Sequence, residues 1–213
     1  MDARLITPFS MGVFASRLSG KSVFTKNLLL DQKRMISPPF KRVIWIYKTW
    51  QEELFNELIK QTEFEMEFLD DLPNFDTMGK QENTAIVIDD FMSEASNSVQ
   101  VQALFTRGRH LGLSIIYLSQ NLFHNGKYSR DMSLNMDYLV LFKKIRDASQ
   151  IGHLARQMFP RNSKFLIWAF QDATRTPYSH LFLDLKPDGN ESLRVRGNIL
   201  NREYQAVYIP KNL

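Results

Sequence analysis

Seven short apolar runs, at 11–15, 43–47, 65–69, 85–88, 113–118, 138–142 and 180–185, divide this chain at intervals that leave room for helices between them. Most lack strict polar/apolar alternation, which is the pattern of strands covered on both faces. Segments of helical character lie between them, at 21–30, 51–60, 97–107, 149–158 and 164–173. Such strand–helix alternation specifies an α/β fold: a mostly parallel sheet with helices on both faces. Turn-forming residues gather at Ser37-Pro38-Pro39, 70–83 and 186–192, and none of these stretches is long enough to divide the chain. One domain over residues 1–213 is expected, with a final edge strand or tail from about 193.

Composition narrows the chemistry. The 213 residues are 44% hydrophobic and 23% charged, the balance of an ordinary globular protein. There are no cysteines, which removes disulfides and thiolate metal sites and favours an intracellular setting. No apolar run approaches a membrane span, and Met1-Asp2-Ala3-Arg4 does not begin a signal peptide, so a cytosolic or nuclear protein without membrane association is expected. A net charge of +4 permits a polyanionic partner without requiring one.

The segment Ala15-Ser16-Arg17-Leu18-Ser19-Gly20-Lys21-Ser22 has the spacing of a Walker A phosphate loop, with Ala15 at the first glycine position. It follows an apolar run and precedes a helical segment, as the chemistry requires. Backbone N–H groups then converge on the phosphates, and the helix presents its positive dipole end there. Gly20 permits close approach, Lys21 reaches β- and γ-phosphate oxygens, and the Ser22 hydroxyl ligates Mg2+. Ala15 is tolerable if its backbone is not left-handed. Arg17 either adds a phosphate contact or points to solvent. Arg17 and Leu18 are bulky for this loop, and Gly12 interrupts the preceding strand.

Four apolar residues then lead into two carboxylates, Ala85-Ile86-Val87-Ile88-Asp89-Asp90. A strand ending in solvated acids is common. Downstream of a phosphate loop, however, Asp89 is placed to orient the Mg2+ shell and Asp90 to polarise the attacking water as general base. The next apolar run ends in Ser119-Gln120. In P-loop proteins that insert a strand between the two motifs, a polar residue at its end can sense the γ-phosphate. Gln120 holds that position, and the competing reading is a residue bonding its own turn.

These residues resemble the FtsK/HerA-type genome-packaging ATPases, in particular the poxvirus-like branch found in large DNA viruses and Polinton/Maverick-type elements. The similarity extends from Pro8-Phe9 to about Arg196. Its most specific pieces are Ile88-Asp89-Asp90, Leu104-Phe105-Thr106-Arg107-Gly108-Arg109-His110 and Ser119-Gln120-Asn121-Leu122-Phe123-His124. Tyr138-Leu139-Val140-Leu141-Phe142-Lys143 with Arg146-Asp147, His153-Leu154-Ala155-Arg156-Gln157, and Leu181-Phe182-Leu183-Asp184-Leu185 extend it. The resemblance implies a RecA-like P-loop NTPase fold, ATP hydrolysis with Mg2+, a homo-oligomeric ring and translocation of double-stranded DNA into a capsid. It also implies capsid-protein partners and a place in the host nucleus or a cytoplasmic viral assembly site. By position, Lys21 and Ser22 bind phosphate and Mg2+, Asp89 and Asp90 form the Walker B pair, and Gln120 is the sensor.

Ring motors of this kind complete each site with an arginine from a neighbouring subunit. Arg107 and Arg109 are the candidates, at a helix end expected near the sheet's active edge, with Arg146 behind them. The histidines His110, His124, His153 and His180 are dispersed and lack metal-ligand spacing, although His124 could help shape the site after Gln120. Trp45, Tyr47 and Trp50 read as core rather than a base-stacking platform. Two further functions stand beside the motor: a nucleotide- or DNA-binding subunit that has lost hydrolysis, and a P-loop kinase.

Overall fold

The computed structural model describes residues 2–75, 78–122, 126–143 and 148–211. The strands are β1 (Leu5–Ile6), β2 (Ser10–Phe14), β3 (Ile36–Ser37), β4 (Arg42–Tyr47), β5 (Glu65–Leu69) and β6 (Thr84–Asp89). They continue with β7 (Leu113–Ser119), β8 (Tyr138–Phe142), β9 (His180–Asp184), β10 (Val195–Gly197) and β11 (Ala206–Val207). The helices are α1 (Lys21–Leu30), α2 (Gln32–Met35), α3 (Glu52–Gln61) and α4 (Met92–Asn97), followed by α5 (Val99–Arg107), α6 (Ser129–Leu134), α7 (Ala148–Met158) and α8 (Ser163–Ala173).

Nine of these strands form one sheet in the order β11-β10-β9-β8-β2-β7-β6-β4-β5. The block from β5 to β8 is parallel throughout. β9, β10 and β11 extend it antiparallel at one edge. β1 and β3 make a separate parallel pair. β7 sits between β2 and β6, which is the inserted strand anticipated from the sequence.

The central apolar runs become strands because both of their faces are covered, whereas β5 at the edge is only half-buried. Successive side chains point to opposite sides of a strand. In β6, Ile86 and Ile88 join Ile44, Ile46 and Ile115 on one face, beneath Leu104, Phe105, Leu154 and Leu166 of the helices. Ala85 and Val87 join Val43, Trp45 and Ile116 on the other, beneath Phe24, Leu28, Phe55 and Leu58. Helix ends carry matching local signals. Glu52 and Glu53 open α3 and Lys60 closes it, in line with the helix dipole. The Ser98 side chain caps α5 by accepting from the Val101 N–H at 3.3 Å. Trp45, Tyr47 and Trp50 cluster with Phe55 and Phe68 between β4, α3 and β5; Trp45 is core as expected, Tyr47 is half-buried, and Trp50 stays 43% exposed.

Gly12 does not interrupt its strand; it makes room in it. A Cβ there would fall 2.6 Å from Met136 Sδ and closer still to the Phe14 ring, both of which are buried. His180, at the start of β9, is buried between Phe24 (ring centroids 4.8 Å apart) and Phe142 (5.4 Å). Burial pushes its pKa down to about 4, against a smaller opposing effect of the Tyr178 backbone.

Two stability outcomes follow from these packing arrangements. Gly12→Ala overfills the space above β2 and should destabilise by about 1–3 kcal/mol in urea unfolding, despite alanine's better strand propensity. The folded state holds His180 neutral, so its contribution is complete above the unfolded pKa near 6.5 and is lost as pH falls toward about 4. Relative to wild type, His180→Leu should remove a pH slope of about 1 kcal/mol per unit between those limits. A slope unchanged by the substitution would contradict that account.

Candidate functional site

The segment with Walker A spacing lies where β2 gives way to α1. Ala15, the first loop residue, is buried and tied to the neighbouring strand by its N–H to the Ser119 carbonyl at 3.2 Å. Ala15 is not among the described residues with positive φ, so the alanine meets the backbone condition for replacing glycine. The Ser19 N–H turns back onto the Ser16 carbonyl at 3.3 Å, with Leu18 left-handed at φ 60°. Gly20 is also left-handed, at φ 94°, and forms the N-cap of α1. A side chain at this point would be strained, which is why the loop needs its glycine here. Arg17 and Leu18 are both exposed, so their bulk lies outside the loop rather than filling the phosphate cradle.

The Lys21 ammonium is buried and folds back on the loop, donating to the Ala15 and Ser16 carbonyls at 3.2 and 3.4 Å. These are neutral acceptors that a phosphate oxygen can replace with a stronger, charge-assisted bond. The Ser22 hydroxyl donates to Asp89 Oδ2 at 2.8 Å, joining the first turn of α1 to the end of β6. Gln51 Nε2 approaches the same pair, 3.4 Å from Ser22 Oγ and 3.5 Å from Asp89 Oδ2.

Asp89 is only 2% exposed, and burial is the main force on it, raising its pKa to about 6. The Ser22 hydroxyl opposes that rise, the neighbouring Asp90 adds to it, and Lys21 opposes it again. A buried carboxylate beside a hydroxyl is an oxygen donor set suited to a hard divalent cation such as Mg2+. Asp90 stands next to it in solvent, with a left-handed backbone at φ 62°. That conformation turns the chain sharply, so one acid ends the buried strand and the next is presented outward. Gln120 follows directly on β7 and lines a small hollow with Phe14, Ala15 and Gln150, which places it beside the loop. Lys21, Ser22, Asp89, Asp90 and Gln120 thus gather at the carboxyl ends of β2, β6 and β7.

Arg107 and Arg109 do not join them, and their expected position at the active edge is corrected. α5 runs back against the strands and ends where β7 begins, as a parallel crossover requires. Arg109 pairs with Asp137, just ahead of β8, whose carboxylate also accepts from the Ser10 N–H at 2.8 Å. Both contacts lie at the amino ends of the strands, roughly 17–20 Å from the loop for strands of this length. Arg107 lines a separate cavity with Phe75, Leu104 and His110. His124 and Arg146 fall outside the described residues. Gln51 was not singled out from the sequence; it lies in a connection and gains its place only from the pairing of β4 with β6.

No protein-family model matches the chain, and no curated protein is detectably similar in sequence. Among solved structures, the chain is similar to the genome packaging NTPase B204 from Sulfolobus turreted icosahedral virus 2. In complex with ATP-gammaS, that protein superposes with TM-score 0.55 at 12% identity, over 99% of both chains. Its complex with AMP gives 0.56 at 12% identity, again over 99% of both. Its complex with AMPPCP gives 0.53 at 13% identity, over 95% of this chain and 97% of that one. No described helix is long and apolar enough to cross a membrane. The mostly parallel sheet, its helical cover and this likeness together give the chain the fold of a P-loop NTPase.

Proposed function

We propose that this chain is an ATP-hydrolysing motor that moves double-stranded DNA, of the FtsK/HerA genome-packaging type and its poxvirus-like branch. The observation that carries the reading is the 2.8 Å bond between Ser22 and Asp89, with Lys21 and Gln120 at the adjoining strand ends. That arrangement joins a phosphate loop to an acidic strand end across the inserted strand β7. The full-length likeness to a genome packaging NTPase supports the task assigned to it.

In this mechanism Lys21 leaves the Ala15 and Ser16 carbonyls and takes up β- and γ-phosphate oxygens. Ser22 and Asp89 would hold the Mg2+, which would screen the phosphate charge. Asp90 orients a water on the γ-phosphorus and accepts its proton as the bond to the β-phosphate oxygen breaks. Gln120 contacts the γ-phosphate and transmits its loss to β7. Arg107 and Arg109, at the far end of the sheet, have a role only toward a neighbouring subunit's site, within a homo-oligomeric ring. DNA and capsid proteins are the partners of that ring. The binding subunit without hydrolysis gains no support, because the bulky Arg17 and Leu18 are turned to solvent.

Double-stranded DNA should stimulate ATP hydrolysis by the purified protein. Lys21→Ala should abolish turnover, and Asp90→Asn should lower it by about 10²–10⁴-fold, the usual range for a general base. Equal rates in wild type and both variants would refute the site. DNA affinity should fall steeply between low and moderate salt, and a flat response would refute a phosphate-tracking channel.

A further inference from the structure

The Mg2+ residues lie on the β6 side of the loop, and the opposite side holds a feature they do not use. β9 pairs antiparallel with β8, which sets Phe142 against His180. The connection from α8 into β9 therefore ends beside the loop. Between them is a cleft of about 290 Å³, lined by Leu18, Ser19, Phe142, Lys143, Arg175 and Tyr178 among others.

Two of these side chains are large, apolar in body and unburied. Leu18 is 90% exposed and Tyr178 is 72% exposed. Both have left-handed backbone, φ 60° and 62°, which bulky residues seldom hold unless their surroundings impose it. The Tyr178 ring lies beside the loop: a Cβ on Gly20 would lie 3.3 Å from its Cδ1. His180, two residues after Tyr178, is wedged between Phe24 and Phe142, which ties this end of the connection to the core. The ring thus sits beside the phosphate loop while most of its surface stays open.

The order of charges across the loop gives the occupant its direction. A triphosphate whose terminal group faces Ser22, Asp89 and Gln120 leaves the loop on the Tyr178 side, past Lys143 and Arg175. We propose that Tyr178 is the nucleobase platform of this site: the base of the nucleoside triphosphate stacks on its ring, and Leu18 closes the cleft. This rests on the phosphate-loop reading above. Stacking of a base on an aromatic ring explains an open tyrosine that packing in this chain does not.

The test compares a ligand that has a base with one that lacks it. With Mg2+ present, a non-hydrolysable ATP analogue and inorganic tripolyphosphate are titrated into the full chain by calorimetry. Tyr178→Ala should weaken the analogue roughly tenfold or more and leave tripolyphosphate within about twofold. Tyr178→Leu keeps apolar bulk without the ring and should show the same split, while Tyr178→Phe restores the analogue's affinity. Equal losses for both ligands, or no loss of the analogue, would overturn the platform. Tripolyphosphate binding indifferent to Lys21→Ala would instead overturn the phosphate-loop reading on which it rests.

Discussion

A parallel sheet covered by helices on both faces confines its chemistry to its strand ends. In β2, β6 and β7 the interior side chains other than Ser114, which is buried and accepts from the Phe9 N–H, are committed to one of two apolar layers, so polar groups reach outward where a strand stops. Because these strands are parallel, their carboxyl ends share one rim. The loop after β2, the acids after β6 and the glutamine after β7 converge there with no further device. Ligands bind at this rim in open α/β sheets for the same reason, beside the point where the connections diverge. Here β2 is that point, since the chain leaves it for β4 on one side and reaches β8 on the other.

The Ser22–Asp89 contact is where this constraint becomes chemistry. Asp89 is buried by the same packing that makes β6 a strand, and burial alone would drive it toward its neutral form. The Ser22 hydroxyl and the Lys21 ammonium restrain that tendency, and both come from the first turn of α1. The helix is in turn set by Gly20, whose left-handed backbone starts it and whose missing side chain leaves space for Tyr178. A divalent cation with a phosphate chain would complete the set by supplying positive charge beside Asp89 and charged acceptors for Lys21. The energetic tension and the proposed function are thus the same feature.

Much of this was legible in the chain. The apolar run 138–142 became a strand with those limits, because two-sided burial writes itself into consecutive residues, and 65–69 became the half-buried edge strand β5. The loop spacing and the Asp89-Asp90 pair were legible because each is a local pattern. What depended on direction or neighbourhood was not. Arg107 and Arg109 were placed at the wrong end of the sheet because a helix's periodicity does not say which way it runs against its strands. Gly12 read as a defect because its partner Met136 is distant in sequence. Gln51 and Tyr178 lie in connections, and only strand order brings them to the rim. The short α2, α4 and α6 escaped notice because helices of one or two turns depend on tertiary contacts rather than on their own propensity.

The central claim is that Ser22 and Asp89 act as one unit in a nucleotide site that requires Mg2+. A double-mutant cycle on the binding of a non-hydrolysable ATP analogue, with and without Mg2+, tests it most directly. Ser22→Ala and Asp89→Asn should each remove most of the gain in affinity that Mg2+ gives the wild type, and the double variant should lose little more than either alone. Additive losses, or a wild-type affinity indifferent to Mg2+, would contradict the account.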